Sequence, residues 1–370
     1  MNEDEPTIAY DGVSHDTLGG GSYAFKENYL QYLSKLIQHG PVVEVNIIIQ
    51  PNSSPHIGAI LSLILTFSLA QQLTGQGLEA YVVVDLWDNA KAEQINIGGT
   101  VYQKGLRDSG RLIIEDYEDI LAVLGTRYGV DYKLRMEDEF LRQDGIPDVV
   151  RDIVRDRNSL GVSLQPSSEQ IAIRSSCPEP SCRLVDKYGN HNVYDDENDI
   201  IQFKCPYHGR FIVNIASECH RLQFNCQLFN LVIGRYYENV DHGYIQVCGS
   251  DYAGFWQEQM LWRNIHKPLL IVYTPLIMDW SGAKISKSLV LGKDAYRYLC
   301  DAGLEYVLSW KKFKESKKDF GVLCKEVDLW VAEPFRLFRG YTVHYFAMLF
   351  ARSENAELGG VRLQDCVNRN

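Results

Sequence analysis

Val42-Val43-Glu44-Val45-Asn46-Ile47-Ile48-Ile49-Gln50-Pro51-Asn52-Ser53-Ser54-Pro55-His56-Ile57-Gly58 is the stretch that decides the fold. The β-branched apolar run from Val42 to Ile49 reads as a strand buried on both faces, the habit of parallel sheets covered by helices. Pro51 and Pro55 stop it, because proline has no N–H for a sheet ladder. From His56 to about Gln72 the apolar residues suit a helix buried over most of its surface, and Gly75-Gln76-Gly77 closes it. A second strand, Ala80 to Leu86, follows at once. Strand, turn, helix and strand in one short stretch make a βαβ unit, whose right-handed crossover implies a mostly parallel sheet. The expected fold class is therefore α/β, a Rossmann-like sheet with helices on both faces.

Working outward, residues 1–40 read as a polar lead segment containing Gly19-Gly20-Gly21, followed by a helix, and 41–160 as the first half of the nucleotide-binding fold. Segments 110–126 and 138–158 have apolar positions three and four apart and should be helical. Cysteines, prolines and polar residues concentrate between Pro166 and Gly209, so 161–238 reads as an insertion holding a small subdomain. Strand-like sequence returns at Gly243 to Cys248 and at Leu269 to Tyr273, placing the second half of the fold at 239–305. Residues 306–370 read as a short helical stem and tail, with Trp330, Phe335, Phe338, Tyr341 and Tyr345 spaced as core aromatics.

Composition narrows the function classes. With 370 residues, 45% of them hydrophobic, the chain can bury a sizeable core. The 9 cysteines are odd in number and unevenly spaced, which favours free thiols and a metal site over a disulfide framework. No run of about 18 consecutive apolar residues occurs, and the Met1-Asn2-Glu3-Asp4-Glu5 start is acidic, so the expectation is a cytoplasmic protein without a membrane partner. A net charge of −11 repels phosphate overall, so a nucleic-acid contact needs a local basic face.

Two stretches carry chemistry. Pro55-His56-Ile57-Gly58 opens a helix at the carboxyl end of a strand, where open α/β sheets bind ligands. The helix N-terminus offers N–H groups to phosphate, Gly58 lets a nucleotide approach the backbone, and His56 can donate to phosphate oxygens. Alone, the same residues also read as an ordinary helix start. Ser281-Gly282-Ala283-Lys284-Ile285-Ser286-Lys287-Ser288 packs two lysines and three serines into a small loop able to wrap a triphosphate. Alone, it also reads as a solvated basic turn. Gly249 and Asp251, at the end of a strand, are further candidates, although Asp251 equally suits a helix N-cap. Asp85 and Asp88, at the end of the second strand, are placed by topology beside the same crevice and could hold a substrate ammonium.

In the insertion, Cys177 and Cys182 form a C-x4-C pair, and Cys205 and His208 a C-x2-H pair. Thiolates and imidazole are zinc's preferred ligands, and four of them leave no open position, so the expected site is structural Zn²⁺. Cys219, His220 and Cys226 stand nearby as alternative ligands.

The pair of chemical stretches resembles the HIGH and KMSKS signatures of class I aminoacyl-tRNA synthetases, in the right order. The resemblance covers roughly residues 41–345 and implies a HUP-type Rossmann domain that binds ATP and Mg²⁺ and activates an amino acid as its adenylate. It gives Pro55, His56 and Gly58 the adenosine and phosphate side, and Lys284, Ser286, Lys287 and Ser288 the pyrophosphate, with His56, Lys284 and Lys287 catalytic. Gly249 and Asp251 fall on the ribose and amino-acid side. Ala59 stands where the general pattern has histidine. The HIG sequence without that histidine, the Trp87-Asp88 dipeptide and the cysteine-bearing ribbon make the chain most similar to class I lysyl-tRNA synthetase, so a lysine-like substrate is expected. Such enzymes continue into an anticodon-reading domain, whereas 82 residues (370 minus 288) follow Ser288 here. The acceptor is then either a tRNA acceptor end or a small molecule. Two other readings stay open: an inactive synthetase paralogue that binds or regulates, and a pantothenate-synthetase-like ligase.

Overall fold

The computed structural model describes residues 29–37, 40–253, 270–285 and 296–367. The chain runs from α1 (Tyr29–Leu36) through β1 (Val42–Ile49), α2 (Ile57–Gly75) and β2 (Glu79–Leu86). A hairpin of β3 (Lys91–Ile97) and β4 (Thr100–Gly105) precedes α3 (Glu115–Tyr128) and β5 (Tyr132–Met136). Then come α4 (Glu137–Phe140), α5 (Ile146–Arg155) and α6 (Arg157–Leu164). The insertion follows: β6 (Ile173–Ser175), β7 (Val185–Asp186), β8 (Val193–Asp195), β9 (Ile200–Cys205), β10 (Gly209–Asn214), α7 (Ile215–Glu218) and β11 (Leu222–Phe224). Through α8 (Cys226–Tyr237) the chain returns to β12 (Gly243–Gly249) and β13 (Leu270–Thr274), with β14 (Ile277–Met278) beyond.

Five strands form one parallel sheet in the order β13-β12-β1-β2-β5. This is the doubly wound arrangement, in which the order reverses beside the first strand. Alternation along β1 decides what each face holds. Val43, Val45, Ile47 and Ile49 pack with Val82, Val84, Ile245 and Val272 beneath α2. Glu44, Asn46 and Ile48 turn to the opposite face, which α8 and the insertion cover.

α2 is apolar almost all round because it is covered almost all round. It lies between the sheet, α3 and the later helix Phe320–Ala332, with Leu61, Leu65 and Leu69 fully buried. Truncating one such leucine to alanine costs roughly 2–5 kcal/mol. It is also the one helix among the described residues long and apolar enough to cross a membrane, but it serves here as a core helix.

The structure adjusts several sequence expectations. The helix expected from 110 begins at Glu115, because the preceding segment is held as a loop against the first turn, Ile113 N–H donating to Pro51 O at 2.9 Å. The helix expected over 138–158 is divided, since Gly145 takes a left-handed φ of 86° just before α5, and Pro147 suits the first turn of a new helix. In the stem, Trp330 is fully buried and stacks on Tyr341 at 5.0 Å, while Phe335 is exposed. The helix suggested by Phe255 to Trp262 lies outside the described residues.

Candidate active site

Where β1 and β12 diverge, beyond their carboxyl ends, lies a cleft of about 280 Å³. Its walls come from residues far apart in the chain: Ile47–Gln50 at the end of β1, His56 and Gly58 at the start of α2, Gly249 ending β12 with Asp251 beyond it, Thr274 ending β13 with Pro275–Ile277 beyond it, and Lys284. A sheet of this topology leaves its ligand crevice at this switch point.

His56 is the N-cap of α2, in extended conformation, and its Nδ1 accepts the Gly58 N–H at 3.0 Å. That bond fixes the tautomer: Nδ1 keeps its lone pair, so in the neutral ring the proton sits on Nε2. Gly58 has a steric reason to be glycine. A Cβ there would stand 2.9 Å from His56 Cε1 and 3.1 Å from Nδ1, inside normal contact. Pro55 is buried behind the cap and does not line the cleft. Ala59 does line it, so the missing histidine leaves a small apolar wall at that point.

Lys284 is brought back to the cleft by a tight turn. Asp279 Oδ1 accepts from Ser281 N–H at 2.8 Å and Ala283 N–H at 3.0 Å, Gly282 takes φ 84°, and Ile285 N–H donates to Ile277 O at 2.8 Å. Tyr298 Oη also donates to Asp279. Although partial burial opposes its charge, these donors hold the Asp279 carboxyl below the usual carboxylate range. The Lys284 ammonium pairs with Asp251 across the cleft, both side chains partly exposed. A Cβ on Gly249 would meet the Asp251 carboxylate, which would have to turn aside. Ser286, Lys287 and Ser288 lie outside the described residues.

Asp85 and Asp88 are not brought to this cleft, contrary to the expectation from topology. Asp85 is fully buried under the sheet, where Arg135 grips it from Nε at 2.5 Å and Nη2 at 2.8 Å, and Asn46 Nδ2 donates to it at 2.7 Å. Glu44, Tyr237 and Tyr244 complete this polar layer, Tyr237 Oη donating to Glu44 at 2.6 Å and Tyr244 Oη to Asn46 at 3.2 Å. Asp88 is buried too, and Arg107 Nε donates to it at 2.7 Å. Burial pushes its carboxyl up to about 6 against the pull of Arg107. Both carboxylates are spent on arginines that the strand pattern alone does not reveal. Trp87, between them, does reach the cleft. Its Nε1 and the Thr274 hydroxyl are buried there without a partner among the described residues, which suits a ligand bearing both acceptors and donors.

In the insertion, Cys177, Cys182, Cys205 and His208 come together, their ligand atoms all within 4.8 Å of one another. Cys182 Sγ lies 3.6 Å from Cys205 Sγ, and His208 Nδ1 lies 3.4 Å from Cys177 Sγ and 3.5 Å from Cys205 Sγ. The edge of a tetrahedron with metal–sulfur bonds of ~2.3 Å is ~3.8 Å, so the four donors fit zinc. Burial opposes a Cys205 thiolate, but the backbone N–H groups of Tyr207 and His208 and the His208 ring outweigh it and lower the thiol. Of the alternative ligands, Cys219 is buried in the insertion core, Cys226 lines the cleft, and His220 lines a second cavity.

Several contributors were missed from sequence. Asn230, on α8, and Trp87 line the cleft, and Asp279 builds the Lys284 turn. Of these, Asp279 stood within reach, as an aspartate two residues before a serine-glycine turn. The β3–β4 hairpin also carried a signal, Gly98-Gly99, both with positive φ in its two-residue turn.

No known family profile and no curated protein matches the chain. Solved structures similar to it include a glutamate–tRNA synthetase from Elizabethkingia anophelis, at 12% identity over 66% of this chain and 52% of that one, with a TM-score of 0.30. A glutamate–tRNA ligase from Elizabethkingia meningosepticum gives 12% identity, the same coverage and a TM-score of 0.32. A chain described as an arginyl-tRNA synthetase from Campylobacter jejuni gives 9% identity over 79% of this chain and 68% of that one, with a TM-score of 0.29. The chain thus spans about half the length of the first two, and scores of this size record a likeness without deciding an activity.

Proposed function

We propose that the protein is an ATP-dependent ligase that activates the carboxylate of an amino acid as its adenylate. The observation that carries this reading is the convergence of the His56 helix start and the Lys284 turn on one cleft at the switch point of the sheet. The helix N-terminus and His56 Nε2–H receive the phosphates of ATP, and Gly58 gives the nucleotide its approach to the backbone. A carboxylate oxygen attacks the α-phosphorus in line, the new O–P bond forms as the α–β bridging bond breaks, and pyrophosphate leaves with the electron pair. Lys284, released from Asp251, and Lys287 meet the charge that grows on that leaving group. Magnesium bound with ATP supplies additional neutralisation. The amino acid lies against Trp87, Cys226 and Asn230, which line the cleft, and the sequence resemblance supports lysine or a lysine-like compound. Cys177, Cys182, Cys205 and His208 hold a structural zinc ion.

The activated acyl group then passes to a tRNA acceptor end or to a small nucleophile. Amino-acid-dependent ATP–pyrophosphate exchange over a panel including lysine, arginine, ornithine and glutamate, with and without total tRNA, tests the reading. Exchange without tRNA favours a small acceptor, and exchange only with tRNA favours aminoacylation. Silence in both arms would replace it with the non-catalytic reading.

A further inference from the structure

A second cavity, of about 440 Å³, lies between the end of β2 and the cysteine ribbon. It adjoins the first cleft through one turn: Trp87 lines the first and Asn89 the second. Its lining is basic and polar, with Arg107, Arg183, Arg221, His220, Ser176 and Gln223 contributing. Two carboxylates also line it, and both are engaged. Asp108 accepts from Ser176 Oγ at 2.6 Å, and Asp138 accepts from Arg107 at 2.9 Å. Arg221 pairs with Glu218, and Arg107 also holds Asp88. Arg183, half-buried, makes no side-chain bond among the described residues and supplies the unspent charge.

The floor is built rather than incidental. Gln223 is 5% exposed, and its Nε2 donates to Ser176 Oγ at 2.6 Å, while its Oε1 is buried without a partner among the described residues. Below, Asn89 N–H donates to Glu137 Oε2 at 3.3 Å, and Glu137 Oε1 and Arg174 Nε are likewise buried and unpartnered. Orphaned polar atoms are rare in folded proteins, and their clustering under one cavity marks a place where a ligand or ordered water completes the bonding.

We propose that this cavity is a second binding site, for an oxyanion that also carries a hydrogen-bond donor: a phosphate, free or borne by a small molecule. The Arg183 guanidinium meets the anionic oxygens, in the fork geometry suited to phosphate, with His220 and Arg221 beside it. The Gln223 Oε1 acceptor receives a hydrogen bond from the P–OH of inorganic phosphate, or from a hydroxyl of the group that an ester carries. Sulfate, which has no O–H at neutral pH, cannot satisfy that acceptor, so the site discriminates between two ions of nearly equal size. Pro178 and Arg183 flank Cys177 and Cys182, so the ribbon's metal knuckle forms one wall of the site. The inference does not rest on adenylation, because the second cavity shares none of the first cleft's lining residues.

Calorimetric titration with inorganic phosphate, sulfate and a sugar monophosphate, without ATP, tests it. Phosphate binding is expected to survive Lys284→Ala, which disables the first cleft, and to weaken at least tenfold in Arg183→Ala. Gln223→Met should abolish the preference for phosphate over sulfate, and zinc content measured on each variant shows whether the ribbon is intact. If Arg183→Ala does not fold, Arg183→Gln, which keeps the length of the side chain without its charge, gives the same reading. Tighter binding of the sugar phosphate than of free phosphate assigns the site to a phosphorylated metabolite; the reverse assigns it to the free ion. Loss of all phosphate binding in Lys284→Ala, equal affinity for sulfate and phosphate, or no binding to the wild type would overturn the proposal.

Discussion

Gly58→Ala separates the chemistry of the cleft from the stability of the fold. The new Cβ would sit 2.9 Å from His56 Cε1 and 3.1 Å from Nδ1, so the imidazole must move by several tenths of an ångström or rotate away. Either motion spoils the 3.0 Å bond from Gly58 N–H to Nδ1, which caps the helix. Losing a cap costs roughly 1 kcal/mol. Alanine in place of glycine in the first turn of α2 returns up to about 1 kcal/mol of helix propensity. The two effects nearly cancel, so the variant should melt close to the wild type. Its activity should not survive as well, because Nε2–H is aimed by that same bond. Displacing one preorganised donor from a developing phosphoryl charge costs about 3–4 kcal/mol, or about 10²–10³ in turnover. The assay is amino-acid-dependent ATP–pyrophosphate exchange at saturating ATP, with thermal melting on the same samples. Exchange within threefold of wild type at an unchanged melting temperature would refute the role given to His56.

Four other outcomes follow from the same structure. Lys287→Ala should cut exchange about a hundredfold or more at unchanged melting, as the loss of one leaving-group contact predicts. Asp279→Ala should lower exchange by slackening the turn that presents Lys284 while leaving ATP binding weakened less than turnover; an unchanged kcat would show that the turn holds without it. Cys205→Ser should remove one zinc equivalent by atomic absorption and lower the melting temperature, whereas wild-type protein that contains no zinc and melts unchanged in chelator would mean that no metal is held by the ribbon. Glu137 is fully buried, and burial pushes its carboxyl up to about 8 from an ordinary 4.5. The folded state therefore keeps a proton that the unfolded state gives up. This group's contribution to stability should be fullest below pH 4.5 and decline through pH 8 at up to about 1.4 kcal/mol per pH unit, and Glu137→Gln should flatten that decline in denaturant titrations.

What could be read from the sequence was what is local. β1, α2 and β2 are written in runs whose period and punctuation need no distant partner, and the cysteine pairs of the ribbon carry their spacing with them. His56 and Gly58 were legible for the same reason. Asp85 was not, because its fate is decided by Arg135, 50 positions further on in the neighbouring parallel strand, and by Tyr237 and Tyr244, which reach the same polar layer from α8 and β12. A carboxylate at a strand end reads alike whether it faces a substrate or a buried guanidinium. Trp87 illustrates the converse: it stood beside two candidate acids, and it is the side chain of that turn that reaches the cleft.

The near-total apolarity of α2 also sets a timetable. Its 19 residues leave the ribosome long before Phe320–Ala332, which covers its outer side, lies about 245 positions later (320 minus 75). At ordinary synthesis speeds that gap lasts ten seconds or more. Throughout it, a segment apolar enough to enter a bilayer waits with one flank unshielded. The newborn chain therefore needs either a chaperone's shelter or a provisional collapse of α2 onto β1 and β2, and the fold is complete only when Phe320–Ala332 closes over α2.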